Sequence, residues 1–125
     1  MFDREIAHAS SQTGVDSDLI AAIIMTESSF NKNAPHVIND GYGLMQVLLP
    51  TAKQSLQDKY LTVRRLLEPG TNILAGSNYL QDLFKRGGSL TDTIAAYNAG
   101  TARKNEQGEY VNSKGVTNVQ KYVDK

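Results

Sequence analysis

Helical periodicity interrupted by glycine is the feature that most constrains this 125-residue chain. Over residues 3–13 a weak apolar stripe of Ile6, Ala7 and Ala9 runs up to Gly14, a helix stop. Asp16 stands where an N-cap belongs and Asp18 adds negative charge to the first turn, predicting a second helix to about Phe30. Residues 31–42 read as loop, and Pro50 with Thr51 opens a short helix through about Leu56. A turn at Pro69-Gly70 leads into a longer helix over 71–86, with Ile73, Leu74, Tyr79, Leu80, Leu83 and Phe84 inward and Gly87-Gly88 as its end. Ser89 and Asp92 form a capping pair for a helix through Ala99, closed by Gly100. Residues 101–116 are polar and read as an exposed loop, and a last helix starts near Thr117. The expected fold is mainly α, a single domain over residues 1–125.

Several function classes are excluded at this level. Folding at this length buries roughly two-thirds of the chain's surface, so a core forms without staples. There is no Cys, which removes disulfides, thiolate metal sites and thiol nucleophiles together. Lys+Arg and Asp+Glu are 13 each, so charge gives no case for nucleic acid or an anionic membrane as main partner. The longest apolar run, Leu19 to Met25, is seven residues, where a membrane span needs about twenty. The polar start MFDREIAHASS does not read as a signal peptide. His8 and His36 are the only histidines and show no His-Glu-x-x-His spacing, which argues against a zinc peptidase.

Glu27 carries the chemistry. Projected at about 100° per residue, Ile20, Ile23, Ile24 and Glu27 fall in one stripe, with the carboxyl inside the isoleucine arc. Burying an unpaired charge is costly, and such a group tends to keep its proton, which suits a general acid near neutral pH. Periodicity alone leaves a second reading open, in which the helix ends early and Glu27 faces solvent.

The neighbouring motifs supply more. Glu27-Ser28 is followed by Gly43-Leu44-Met45-Gln46, then Pro50-Thr51-Ala52, then Asn72-Ile73 through Gly76 to Tyr79-Leu80, then Ala96-Tyr97-Asn98-Ala99-Gly100, and last Tyr122-Val123. This ordered set, spanning about residues 5–125, resembles the lytic transglycosylase domain of the soluble-transglycosylase type, a relative of goose-type lysozyme. The resemblance implies a lysozyme-like α domain that cuts the β-1,4 bond between N-acetylmuramic acid and N-acetylglucosamine in peptidoglycan glycan strands. It implies Glu27 as the single catalytic acid and base, forming a 1,6-anhydro sugar with help from the substrate's own acetamido group, a departure from the two-carboxylate scheme. The mechanism so implied calls for neither a metal nor another cofactor.

By the same resemblance Gln46 and the backbone of Gly43 to Met45 line the cleft, and Met45 forms apolar wall against a sugar. Tyr97 hydrogen-bonds the Glu27 carboxyl, Asn98 supports that turn or touches substrate, Ser28 follows the acid, and Tyr122 faces the cleft. Core packing is the competing reading for Met45 and Tyr79, and backbone conformation for Gly43 and Gly100. With no Trp in the chain, sugar stacking falls to tyrosines, chiefly Tyr42 and Tyr97.

Two departures from the family pattern stand out. Asn118-Val119 occupies the place of a Glu-Thr pair, and Val37-Ile38-Asn39-Asp40-Gly41-Tyr42 replaces the usual Ser-x-x-Gly-Ala run. The second puts Asp40 near the cleft mouth as a candidate for positioning a water, although Asn-Asp-Gly is also an ordinary turn. A muramidase using water as acceptor is therefore one alternative, and an inactive glycan-binding module another. The partner expected is the glycan strand, met by a monomer that is released by a phage or forms part of a larger exported or virion protein.

Overall fold

The computed structural model describes residues 1–34, 41–99, 102–104 and 110–112. Six helices and two short hairpins appear among them, in the order α1 (Asp3–Thr13), α2 (Ser17–Ser28), β1 (Gly41–Tyr42), β2 (Val47–Leu48), α3 (Leu49–Ser55), α4 (Val63–Leu66), α5 (Pro69–Lys85), α6 (Leu90–Ala99), β3 (Ala102–Lys104) and β4 (Tyr110–Asn112).

Local chemistry sets the helix ends. Gly14 at φ 79° closes α1, its N–H donating to the Ser10 carbonyl at 2.8 Å. The Asp16 carboxylate accepts from the Asp18 N–H at 3.0 Å and starts α2. Ser89 and Asp92 cap α6 reciprocally, the Asp92 N–H donating to Ser89 Oγ at 3.1 Å and the Ser89 N–H to Asp92 Oδ2 at 3.4 Å. Proline opens both α3 and α5 from the first helical turn, where its missing N–H costs no helical hydrogen bond.

Helix α5 is the axis of the molecule, packed against α1, α3, α4 and α6. It buries Ile73, Leu80 and Leu83 into a core shared with Ile6, Ile20, Ile23, Ile24, Leu44 and Leu66. Each large aliphatic side chain so buried contributes about 1.5–3 kcal/mol. Ala75, Gly76 and Ser77 give α5 a small, buried middle. A Cβ on Gly76 would lie 2.6 Å from Met45 Sδ, so the ribbon carrying Met45 approaches the helix only because no side chain stands there.

Five details differ from the sequence reading. Helix α2 stops at Ser28, because Ser29 and Phe30 take left-handed φ of 53° and 63°. Ala7 is exposed, leaving Ile6 and Ala9 as the buried face of α1. Pro69 and Gly70 belong to α5 rather than to a turn before it. Helix α4 is an additional turn, capped by the Thr62 side chain accepting from the Arg65 N–H at 3.2 Å. Residues 102–104 and 110–112 pair as an antiparallel hairpin, Ala102 opposite Asn112, where a loop was expected. The expected helix from Thr117 lies outside the described residues.

Candidate active site

Glu27 sits one residue before the end of α2 with 6% of its surface exposed, while Ile20, Ile23 and Ile24 beside it are at most 1% exposed. The solvent-facing alternative therefore fails, and the carboxyl lies in the apolar face. Ser28 is buried too, and its hydroxyl donates to the Ile24 carbonyl at 3.0 Å, so its one proton is committed to the helix.

The second wall of the site is the β1–β2 hairpin, whose register pairs Gly41 with Leu48 and Tyr42 with Val47. Its turn runs from Gly43, at φ 73°, to Gln46, at φ 50°. The left-handed conformation costs a glutamine roughly 1 kcal/mol or more and persists only where the surroundings hold it. Gln46 is held from within the turn by its Nε2, which donates to the Gly43 carbonyl at 2.9 Å, and by its N–H, at 3.2 Å to the same oxygen. That leaves the amide one further N–H and its oxygen for other partners.

Two helices hold the turn from outside. The Met45 N–H donates to Asn72 Oδ1 of α5 at 2.8 Å, and the Met45 carbonyl accepts from the Tyr97 hydroxyl of α6 at 2.8 Å. Asn72, fully buried, also donates through Nδ2 to the Tyr42 carbonyl at 2.8 Å and the Leu66 carbonyl at 3.0 Å. A Cβ on Gly43 would fall 2.5 Å from Asn72 Nδ2, so glycine here answers both to the positive φ and to the close passage of the asparagine. Asn72 stands in a quoted motif, yet nothing local in Asn72-Ile73 reveals partners 27 and 30 residues away.

Three expectations are corrected by this geometry. The Tyr97 hydroxyl spends its single proton on the Met45 carbonyl, not on the Glu27 carboxyl. Glu27 remains an electrostatic neighbour: burial first, then the Glu27 carboxylate, then Tyr79 push the Tyr97 phenol well above its ordinary range. Met45 is fully buried, its sulfur 4.0 Å from Ser77 Oγ and against Gly76, so its side chain is core and not a wall for sugar. Tyr97 is 2% exposed, so its ring offers no stacking face; it tilts at 46° against Tyr79, centroids 5.5 Å apart.

Asn98 donates from Nδ2 to the Ile94 carbonyl at 3.0 Å and braces α6 from within. Tyr42 is half-buried in β1. Asp40, Gly100 and Tyr122 lie outside the described residues, as does His36. Among the described residues no cluster of three or more His, Cys, Asp or Glu is placed to hold a metal ion, and no helix is long and apolar enough to cross a membrane.

A helical body, a carboxyl buried near the end of one helix and a tightly held Gly-Leu-Met-Gln turn beside it define the class. Residues 4–120 match the family described as Transglycosylase SLT domain, and the chain belongs to that family. Among similar proteins are the X polypeptide of Escherichia coli strain K12, 32% identical over 87% of this chain and 70% of its own length, and the transglycosylase of Enterobacteria phage PRD1, 33% identical over 80% and 35%. The membrane-bound lytic murein transglycosylase C of Edwardsiella ictaluri is 35% identical over 86% of this chain and 34% of its own. The chain thus spans about a third of the phage and membrane-bound relatives. In fold it is similar to an inactive mutant of the lytic transglycosylase Slt from Pseudomonas aeruginosa, with TM-score 0.71 and 23% identity, covering 96% of this chain and 23% of that one. The lysozyme-like α fold expected from the motifs agrees with that likeness.

Proposed function

We propose that this chain is a peptidoglycan lytic transglycosylase domain, cleaving the bond between N-acetylmuramic acid and N-acetylglucosamine with Glu27 as its only acid and base. The observation that carries this reading is the Glu27 carboxyl buried on the isoleucine face of α2, beside the Tyr97 that pins the Gly43–Gln46 turn. Burial in apolar surroundings disfavours the charged form of a carboxyl, which suits a group that must donate a proton near neutral pH.

The cycle closes on that one group. Glu27 gives its proton to the glycosidic oxygen as the bond to C1 of muramic acid breaks, and N-acetylglucosamine leaves with its 4-hydroxyl restored. The substrate's acetamido oxygen stabilises C1. The Glu27 carboxylate then takes the proton of the C6 hydroxyl as O6 bonds to C1, giving the 1,6-anhydro sugar and the neutral acid again. No water is consumed and no cofactor enters. In this reading the Gln46 amide bonds substrate acetamido groups, and Ser28, Asn98 and Tyr122 are supporting residues. The chain works as a monomer on the bacterial wall, whether delivered by a phage or as part of a larger exported protein.

Product mass decides the acceptor, since anhydro-terminated muropeptides are lighter than hydrolysed ones by one water. Reducing ends as the main product, together with a crippled Asp40→Asn variant, would make this a hydrolase. Glu27→Gln is expected to fold as the parent does and to lose about 10²–10⁴-fold in rate. A variant keeping more than about a tenth of the parent rate would overturn the assignment of Glu27.

A further inference from the structure

The connection between α3 and α4 has no part in the chemistry above, yet it is built unlike an idle surface loop. It forms one side of an open groove of about 630 Å³ lined by Pro50, Lys53, Gln54, Gln57, Asp58, Lys59 and Tyr60. None of the residues placed in the active site lines it. Tyr60 is 78% exposed although its neighbour Leu61 is 3% exposed and anchored in the core.

The ring sits on an ordered turn. The Tyr60 N–H donates to Asp58 Oδ1 at 3.0 Å, Arg65 Nη1 donates to Asp58 Oδ2 at 2.8 Å, and the Asp58 N–H reaches back to the Lys53 carbonyl at 2.9 Å. The Arg65 and Tyr60 hydrogen bonds hold the Asp58 carboxyl below its ordinary range, so that charge is matched locally. Lys59 Nζ lies 5.2 Å from the Tyr60 centroid, and among the described residues neither Lys53 nor Lys59 has an ion-pair partner. Residues 49–67 carry four cations and one acid in a chain whose formal net charge is zero.

An exposed aromatic ring, two amides and two lysines without a close ion pair among the described residues, along one groove, match an N-acetylated sugar strand bearing carboxylates. We propose that this face binds a second stretch of peptidoglycan outside the catalytic site. A sugar ring packs on Tyr60, Gln54 and Gln57 bond its hydroxyl or acetamido groups, and Lys53 and Lys59 face the carboxylates of the peptide stems. The site rests on the proposed function. It gives a domain with a single-acid cleft a separate hold on an insoluble polymer, where a second weak contact raises retention by avidity.

Two variants test it, Tyr60→Ala and the double variant Lys53→Glu/Lys59→Glu. Co-sedimentation is measured in the Glu27→Gln background, with purified sacculi and with chitin as the uncharged polymer. Tyr60→Ala is expected to weaken binding to both polymers by about three- to tenfold. The lysine variant is expected to weaken sacculus binding by roughly tenfold at low salt, less at high salt, and to leave chitin binding unchanged. With Glu27 intact, both variants cleave short soluble strands within about twofold of the parent but solubilise sacculi more slowly.

Unchanged sacculus binding in both variants overturns the site. So does a loss of short-strand cleavage in step with binding, which would put these residues in the catalytic cleft. Lost binding to phosphatidylglycerol vesicles with sacculus binding intact would make the face a membrane contact and overturn it likewise. A parent protein that neither binds nor cleaves sacculi would refute the proposed function itself, a failure visible before any variant is compared.

Discussion

Two glutamines in this molecule share one unusual backbone conformation and almost nothing else. Gln46 and Gln57 both stand at positive φ, 50° and 53°. Gln46 is 3% exposed, with its side chain on the Gly43 carbonyl and its turn held by Asn72 and Tyr97 from two helices. Gln57 is exposed and its turn is closed by local backbone bonds, its N–H to the Gln54 carbonyl at 3.2 Å and the Asp58 N–H to the Lys53 carbonyl at 2.9 Å. The same conformation is thus enforced from outside at one place and merely tolerated at the other. Enforcement by distant helices fixes the shape of the segment proposed to line the cleft, whereas a self-contained turn tolerates revision.

The comparison breaks most sharply at Asn72. Asn72→Ala removes the hydrogen bonds to the Met45 N–H and to the Tyr42 and Leu66 carbonyls in one step. A loss of about 3 kcal/mol is expected, with Tm lower by on the order of 10 °C, read from urea and thermal unfolding. A loss below about 1 kcal/mol would mean that the clamp contributes little.

Gln46→Gly separates strain from function. Glycine relieves the positive φ and removes the amide, so stability should stay within about 1 kcal/mol while cleavage falls about tenfold or more. Unaltered kinetics on soluble strands would deny the side chain a role.

Tyr97→Phe removes one hold on the turn and should cost about 1 kcal/mol at neutral pH. The pH dependence carries a sign. The folded phenol is raised above its unfolded value near 10, so above about pH 10 the unfolded chain releases a proton that the native state retains. Parent stability then falls with rising pH through that window, by up to about 1.4 kcal/mol per unit from this group, and the phenylalanine variant escapes that part of the loss. Unfolding curves between pH 8 and about 11 should show the two proteins converging.

The smallest effect is expected at Gln57→Gly. Relief of the positive φ and the greater freedom of unfolded glycine nearly cancel, leaving stability within about 0.5 kcal/mol. Short-strand cleavage should not change, and sacculus binding should weaken only modestly if the groove acts as proposed.

How much was legible in the sequence follows the range of the interactions involved. Helices α1 and α6 were readable because their signals are local, Gly14 in one and the Ser89–Asp92 pair in the other. Glu27 could be placed on the isoleucine face for the same reason, since i, i+3 and i+7 neighbours lie on one helix. The end of α2 was not readable, because Ser29 and Phe30 adopt left-handed φ without a glycine to announce it. Tyr97 was assigned the wrong partner because its true acceptor is a backbone carbonyl 52 residues away, which side-chain chemistry does not single out. Asn72 was visible as part of a motif and silent as to role, since what it holds is again backbone from another element. The pairing of 102–104 with 110–112 escaped because strands of three residues are too short to show the apolar alternation that marks a half-buried strand.

The tight seat of Met45 on Gly76 has a consequence for oxidative damage. The chain's three methionines form a graded series: Met1 and Met25 are 77% and 55% exposed, and Met45 is fully buried. Peroxide reaches the outer two sulfurs in the native state, and their sulfoxides project into water without disturbing the fold. The third sulfur is shut off from solvent and packed against Gly76 of α5, so its oxidation is expected to wait for the turn to swing away from the helix. Sulfoxide formation at that position is therefore expected to count openings of the Gly43–Gln46 turn, each event leaving a polar group that opposes its reseating.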